Sequence, residues 1–157
     1  MLMKSILLAI LLSCLLVSCD YSSNTITLES NSLPLTFKLH GSAKVQWIWI
    51  QGPYQNIREP APKLPAPDDP KKIIVWQIMP ARDFLPLDET PQITYGQLPD
   101  GWRQERPKTE SPPPLLDGYV YLVDAVLVRG TIGALCVYVK DGQLHPHVDD
   151  DPTSRCK

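Results

Sequence analysis

Prolines constrain this chain more than any other residue type. The sequence has 17 prolines, and ten of them lie in two polar segments, residues 51–70 and 103–114. Each proline fixes φ and lacks a backbone N–H, so neither a helix interior nor a central strand accommodates such a density. Both segments are therefore predicted to be surface loops, and the first is predicted to be extended in the manner of polyproline.

Outside these two segments, apolar and polar residues alternate with a period of two, and β-branched residues are frequent. This pattern predicts strands, and no segment after the N-terminal run has sustained helical periodicity. The mature chain is therefore predicted to be all-β. The strands predicted before the last third of the chain are residues 25–28, 35–39, 44–50, 73–78 and 93–95.

The segment 44–50 carries apolar residues on both of its predicted faces. One face would hold Val45, Trp47 and Trp49, and the other would hold Ile48 and Ile50. Such a strand is typical of the middle of a sheet that is covered on both sides.

The last third of the chain contains the clearest pattern. Two alternating apolar strands flank the glycine-containing loop 129–133, which predicts a β-hairpin. The segment 115–125, LLDGYVYLVDA, resembles the start of strand F in fibronectin type III domains, where a tyrosine follows a leucine by six positions. The resemblance implies that the Tyr121 hydroxyl is hydrogen bonded to the preceding turn. It also implies a single antiparallel β-sandwich of about seven strands, fibronectin type III-like or immunoglobulin-like.

The N-terminus has the organisation of a secretory signal peptide. Lys4 is followed by an apolar run from Ile6 to Val17, which is shorter than the roughly 20 residues that span a membrane. The run ends in Leu16-Val17-Ser18-Cys19, which resembles the lipobox of bacterial lipoproteins. An alternative lipobox ends at Cys14, but its use would leave an apolar mature N-terminus.

The lipobox resemblance implies cleavage of residues 1–18 and attachment of a diacylglyceryl group to Cys19. The protein would then be anchored by lipid on the extracytoplasmic (periplasmic) face of a membrane. Asp20 resembles the signal that retains enteric lipoproteins at the inner membrane. The mature chain would consist of a tether at 19–24, a domain at 25–144 and a polar tail at 145–157.

Cysteine and charge patterns further restrict the mature chain. Once Cys19 is acylated, Cys136 and Cys156 remain as a pair in an oxidising compartment, which predicts a disulfide; the alternative is two free thiols. The chain has 15 basic and 17 acidic residues, and cleavage would remove one basic residue, Lys4. Because no basic patch stands out, we expect no binding to nucleic acid.

Candidate binding residues fall into three groups. A metal site is a candidate because His145 and His147 alternate along the tail, and carboxylates follow. Trp47, Trp49 and Trp76 lie in predicted strands and are predicted to be core residues. Tyr54 and Trp102 lie beside prolines in predicted loops and are predicted to contact a partner. The complete metal set would be His145, His147, Asp149, Asp150 and Asp151.

No catalytic signature is present in the sequence. It contains no G-x-S-x-G, H-E-x-x-H, glycine-rich phosphate loop or C-x-x-C. We therefore expect no enzymatic activity and no cofactor. The expected function is that of a non-catalytic binding or accessory module with a protein partner, as a subunit of an envelope complex or as an immunity-type protein. A metal-binding lipoprotein is the alternative.

Replacement of the lipidated cysteine tests the anchor. Cys19→Ala is expected to release the protein from the membrane fraction or to stall its processing, because the thiol is the attachment point of the acyl chains. Fractionation and mass analysis of the N-terminus measure both outcomes. A Cys14→Ala variant is the matched control and should stay in the membrane; an unchanged membrane fraction for Cys19→Ala would contradict the prediction.

Overall fold

The structure, a computed structural model, describes residues 24–56, 58, 74–148 and 156. Two antiparallel sheets pack against each other around a common core. The small sheet has the order β1-β2-β5 and the large sheet has the order β6-β4-β3-β7-β8-β9. The strands are β1 Thr25–Leu28, β2 Thr36–His40, β3 Val45–Gln55, β4 Ile74–Pro80, β5 Ile93–Thr94, β6 Trp102–Arg106, β7 Tyr119–Leu127, β8 Leu135–Lys140 and β9 Gln143–Pro146.

The predicted all-β antiparallel sandwich is confirmed, and the described residues form more strands than the seven or so expected. The only helical element in the described part of the chain is a 3₁₀ turn, Leu87–Glu89. Strand β6, most of which was predicted to be loop, and strand β9, whose second half was predicted to be tail, form the two edges of the large sheet. Edge strands pair on one side alone, so they tolerate the polar composition that made these segments look irregular.

Strand β3 also extends further than predicted, through Gly52 and Pro53 to Gln55. The register with β7 shifts between Gln51 and Tyr54, so the missing N–H of Pro53 falls at an irregularity of the ladder. Gly52 has a φ of 141°, and a Cβ at this position would lie 2.7 Å from a ring carbon of Tyr121. Glycine is therefore required where β3 passes Tyr121.

The main core lies between the two sheets. It is built from apolar side chains on their facing surfaces, with Trp76 as its largest fully buried member, and this confirms the core prediction for Trp76. The other large members with essentially no exposed surface are Leu35, Phe37, Leu39, Ile48, Ile50, Ile78, Leu87, Ile93, Tyr121 and Leu144.

The strand that is covered on both faces is β7 and not β3. Seven consecutive residues of β7, from Tyr119 to Ala125, are buried. In β3, by contrast, Val45, Ile48 and Ile50 all face the core, because the register with β7 shifts after Val45. The predicted assignment of Val45 to the opposite face from Ile48 is therefore wrong.

Trp47 and Trp49 lie on the outer face of the large sheet and are half-buried, so the core prediction for these two residues is also wrong. Their rings are 6.3 Å apart between centroids.

A second, smaller cluster covers the outer face of β7. It consists of Val120, Leu122 and Cys136, and the side chain of Cys156 packs against it. Cys136 and Cys156 form the predicted disulfide, with a Cα–Cα distance of 5.4 Å. The predicted boundary before residue 145 is wrong, because His145 and Pro146 belong to β9.

The first described residue, Asn24, lies at one end of the sandwich, here called the N-terminal end, and the opposite end is here called the far end. At the N-terminal end, the Asn24 side chain donates to the Thr131 carbonyl at 3.0 Å, and Val128 N–H donates to the Lys44 carbonyl at 2.9 Å. At the far end, the loop 107–118 crosses from β6 to β7, and Gly118 N–H donates to the Val139 carbonyl at 2.8 Å. No helix among the described residues has the length and apolar composition needed to cross a membrane.

Removal of the disulfide should lower the free energy of unfolding. The bond joins cysteines 20 positions apart, and closing such a loop contributes about 3 kcal/mol in the chain-entropy account. The double variant Cys136→Ser/Cys156→Ser should therefore unfold at lower urea concentration than the wild-type protein. Addition of a reductant should shift the wild-type protein to the same midpoint and leave the double variant unchanged; equal midpoints without reductant would contradict the prediction.

Candidate functional site

An apolar cleft opens at the far end of the sandwich. Its volume is about 240 Å³. Its lining residues are Pro53, Val75, Tyr95, Pro113, Pro114, Leu116 and Tyr121. Pro113, Pro114 and Leu116 are exposed, so the cleft is accessible from solvent.

Strand order explains why a cleft forms at this end. The loop 107–118 leaves the edge strand β6 and must cross the ends of β4 and β3 before it joins β7. It carries Pro113, Pro114 and Leu116 over the positions where β3, β4 and β7 present Pro53, Val75 and Tyr121. Tyr95, directly after β5, adds a wall from the small sheet, and its N–H donates to the Leu35 carbonyl at 2.8 Å.

Two tyrosine hydroxyls hold the crossing loop in place. Tyr95 Oη donates to the Pro113 carbonyl at 2.6 Å, and Tyr121 Oη accepts a hydrogen bond from Leu116 N–H at 2.8 Å. The second bond is the one that the resemblance of 115–125 to strand F of fibronectin type III domains implies, so that expectation is confirmed. The Tyr95 ring also packs edge-on against Trp76, with centroids 5.5 Å apart, which links the cleft wall to the core.

Burial controls the ionisation of both tyrosines. Removal from water raises the pKa of Tyr95, and the neighbouring Tyr121 raises it further. Burial also raises the pKa of Tyr121, although the hydrogen bond from Leu116 N–H acts in the opposite direction. Both hydroxyls therefore stay neutral at physiological pH, and Tyr95 remains a hydrogen-bond donor.

The cleft is suited to binding apolar groups. Its walls are proline rings, tyrosine rings and aliphatic side chains, and both lining hydroxyls already have partners within the domain. A volume of about 240 Å³ is below the range of roughly 300–1,000 Å³ for small-molecule pockets. The space fits one or two side chains of a partner segment better than a complete cofactor.

The two aromatic residues predicted to contact a partner lie elsewhere. Trp102 is the first residue of β6, is only 6% exposed and belongs to the main core, so its prediction as an exposed loop residue is wrong. Tyr54 lies in β3 and not in a loop; it packs against the outer cluster and donates to Gln51 Oε1 at 3.1 Å.

The predicted metal ligands are only partly within the described residues. His145 pairs with Tyr138 across β8 and β9, and the ring of His147 lies 6.4 Å from that of Tyr138, so the two histidines flank one side chain. Among residues 24–56, 58, 74–148 and 156, no group of three His, Cys, Asp or Glu could hold a metal ion. Asp149, Asp150 and Asp151 lie outside the described residues, so the metal site stays a prediction.

The predicted signal peptide, the lipidation of Cys19 and the sorting role of Asp20 also fall outside the described residues, and they too remain predictions.

A buried carboxylate lies on the outer face of the large sheet, and the sequence pattern did not predict it. Asp124 is buried in β7, where it accepts from Trp49 Nε1 at 3.1 Å and from Ala125 N–H at 2.8 Å. Trp47 Nε1, also buried, has no hydrogen-bond partner within the described part of the chain. The sequence signal was a single carboxylate inside the apolar run 119–127.

The cleft itself is missed because its residues come from five separate segments of the chain. Only the spacing between Leu115 and Tyr121 indicated any part of it. No protein-family model, no curated protein and no solved structure matches this chain. Two features therefore bear on the function of this chain, namely the geometry of the cleft and the N-terminal sequence.

The two cleft tyrosines should make the fold sensitive to alkali. Since their folded-state pKa values lie above the ordinary value of 10.0, the neutral forms favour the folded state. Their contribution to stability is complete below pH 10.0 and is lost as the pH rises above it, where the unfolded state ionises first. Urea midpoints measured across this range should fall, and the fall should be smaller for Tyr95→Phe. Tyr54→Phe is the matched control for loss of a tyrosine outside the cleft; equal pH dependence in wild type and Tyr95→Phe would contradict the prediction.

Proposed function

We propose that this chain is a bacterial lipoprotein that acts as a non-catalytic binding module. Lipid on Cys19 would tether the β-sandwich to the extracytoplasmic (periplasmic) face of a membrane, and Asp20 would favour the inner membrane. The cleft at the far end would take an apolar segment of a protein partner. The observation that carries this proposal is that the cleft and the first described residue lie at opposite ends of the sandwich.

The tether geometry supports this arrangement. Asn24 is hydrogen bonded to Thr131 at the N-terminal end of the domain and follows Cys19 by five positions. An extended chain covers at most about 3.6 Å per residue, so the N-terminal end would stay within roughly 18 Å of the acyl chains. The cleft, at the opposite end, lies on the part of the domain furthest from this attachment, where a partner has access to it.

The chemistry of the lining supports binding rather than catalysis. Proline has no backbone N–H, so Pro53, Pro113 and Pro114 offer a partner ring surface and carbonyls but no amide donors. Tyr95 and Tyr121 present ring faces while their hydroxyls hold the loop 107–118. An extended partner segment with proline or aliphatic side chains matches such walls, because aromatic and proline rings recognise apolar groups by contact.

Two kinds of partner fit this arrangement. An accessory subunit would use the cleft on another envelope protein, and an immunity-type protein would use it on an incoming toxin. The alternative function, metal binding through His145, His147 and Asp149 to Asp151, receives no support from the described residues beyond the shared position of the two histidines beside Tyr138.

Site-specific crosslinking at the cleft tests the proposal. Leu116 and Leu33 are both 39% exposed, but only Leu116 lines the cleft, so the two positions form a matched pair. A photoreactive residue at position 116 is expected to capture a partner protein in the native membrane, and the same residue at position 33 is not. Equal capture at the two positions, or capture at neither, would refute the cleft as the binding site.

A substitution at the same position measures how much Leu116 contributes to the affinity for the partner. Leu116→Ser removes an apolar contact whose burial contributes roughly 1.5–3 kcal/mol, so affinity for the captured partner should fall about tenfold or more. Leu33→Ser should keep the wild-type affinity. Binding of the purified partner to each variant provides the measurement.

A further inference from the structure

We propose that the N-terminal end of the domain contacts the bilayer directly, through an apolar rim formed by Phe84 and Val128. This inference rests on the proposed lipid anchor at Cys19. The rim would insert into the interface of the membrane that holds the acyl chains. Its role would be to orient the domain, because two or three acyl chains already supply the affinity.

The two rim residues are exposed apolar side chains at the N-terminal end of the sandwich. Phe84 is 41% and Val128 46% exposed. Such residues are unremarkable when scattered singly over a surface, but apolar residues gathered on one face mark an interaction site.

Backbone contacts place the rim residues together. Val128 N–H donates to the Lys44 carbonyl at 2.9 Å, and Lys44 also pairs with Pro86, two residues after Phe84. Phe84 and Val128 therefore flank the same short segment at the start of β3.

The position of the N-terminus identifies the occupant as lipid. Asn24 donates to Thr131, three positions after Val128, so the described part of the chain begins at the same end of the sandwich as the rim. Cys19 lies only five positions earlier. A lipid on Cys19 therefore keeps the rim within reach of the headgroups, and insertion of Phe84 and Val128 would turn this end of the domain toward them.

Charge does not select the lipid type. Exposed Lys44, Arg82 and Arg129 lie around the rim, and exposed Asp83, Asp88 and Glu89 lie at the same end. Because the two signs balance, attraction to anionic lipid is not the driving interaction, and the contact depends on apolar insertion. The basic side chains can extend to the headgroups while their stems cover apolar surface.

Depth-dependent fluorescence quenching tests the rim. The full chain, produced with its own N-terminal segment so that Cys19 is lipidated, is reconstituted into vesicles of phosphatidylethanolamine and phosphatidylglycerol that carry a quenching group near the headgroups. A fluorophore is attached at Val128→Cys, and at Leu33→Cys as the control at the far end; Cys136 and Cys156 are protected by their disulfide. The probe at position 128 is expected to lose most of its emission, and the probe at position 33 to keep it.

Vesicle flotation and the mass of the N-terminus are measured on the same samples. They distinguish a lipidated protein whose rim does not insert from a protein that carries no lipid on Cys19. Equal emission at the two positions in a lipidated, floating protein would overturn the rim and leave the anchor intact. An unlipidated Cys19 would overturn the anchor and the rim with it.

A second substitution tests the rim without moving the probe. Phe84→Ser should reduce quenching at position 128 while flotation stays complete, because the acyl chains still hold the protein. Leu33→Ser, which changes an exposed leucine at the far end of the sandwich, should leave quenching unchanged. Quenching that is insensitive to Phe84→Ser would mean that the tether alone holds the domain at that depth, and the proposal would fail.

Discussion

Burial of strand β7 on both of its faces is the constraint on which the rest of this structure depends. Seven consecutive residues, Tyr119 to Ala125, have almost no contact with solvent. The small sheet covers one face of the strand. The cluster around Leu122, against which the disulfide-bonded Cys156 packs, covers the other face. The disulfide therefore contributes packing as well as a covalent restraint, because it holds Cys156 against a strand that could not face water on that side.

The cleft is a consequence of how the chain reaches β7. The strand lies in the middle of the large sheet, while the preceding strand β6 lies at its edge, so the connection must cross two strand ends. Tyr121, fully buried in β7, holds the start of that connection through Leu116, and Tyr95 holds it through Pro113. The proline-rich composition of the loop allows it to remain extended over the sheet without leaving many backbone donors unpaired.

The two proposals assign complementary roles to the ends of the sandwich. At one end the rim around Phe84 and Val128 would meet the bilayer, and at the other the cleft beside Leu116 would meet a partner. A tether of a few residues limits distance but not rotation, so an oriented domain needs a second contact with the membrane. The rim would supply this contact and keep the cleft directed outward.

The sequence by itself determined the class of fold, because strand periodicity is a local property. The cysteine count predicted the disulfide, with two free thiols as the alternative, and the resemblance of 115–125 to fibronectin type III domains implied the Tyr121 hydrogen bond. It did not determine that Trp102 is buried, that residues 143–146 form an edge strand or that Val45 shares a face with Ile48. These depend on which neighbour each strand meets and where the register shifts, and a one-residue shift reverses the face of every side chain that follows. The cleft was likewise decided only by tertiary structure, since its walls come from segments that the chain brings together through strand order alone.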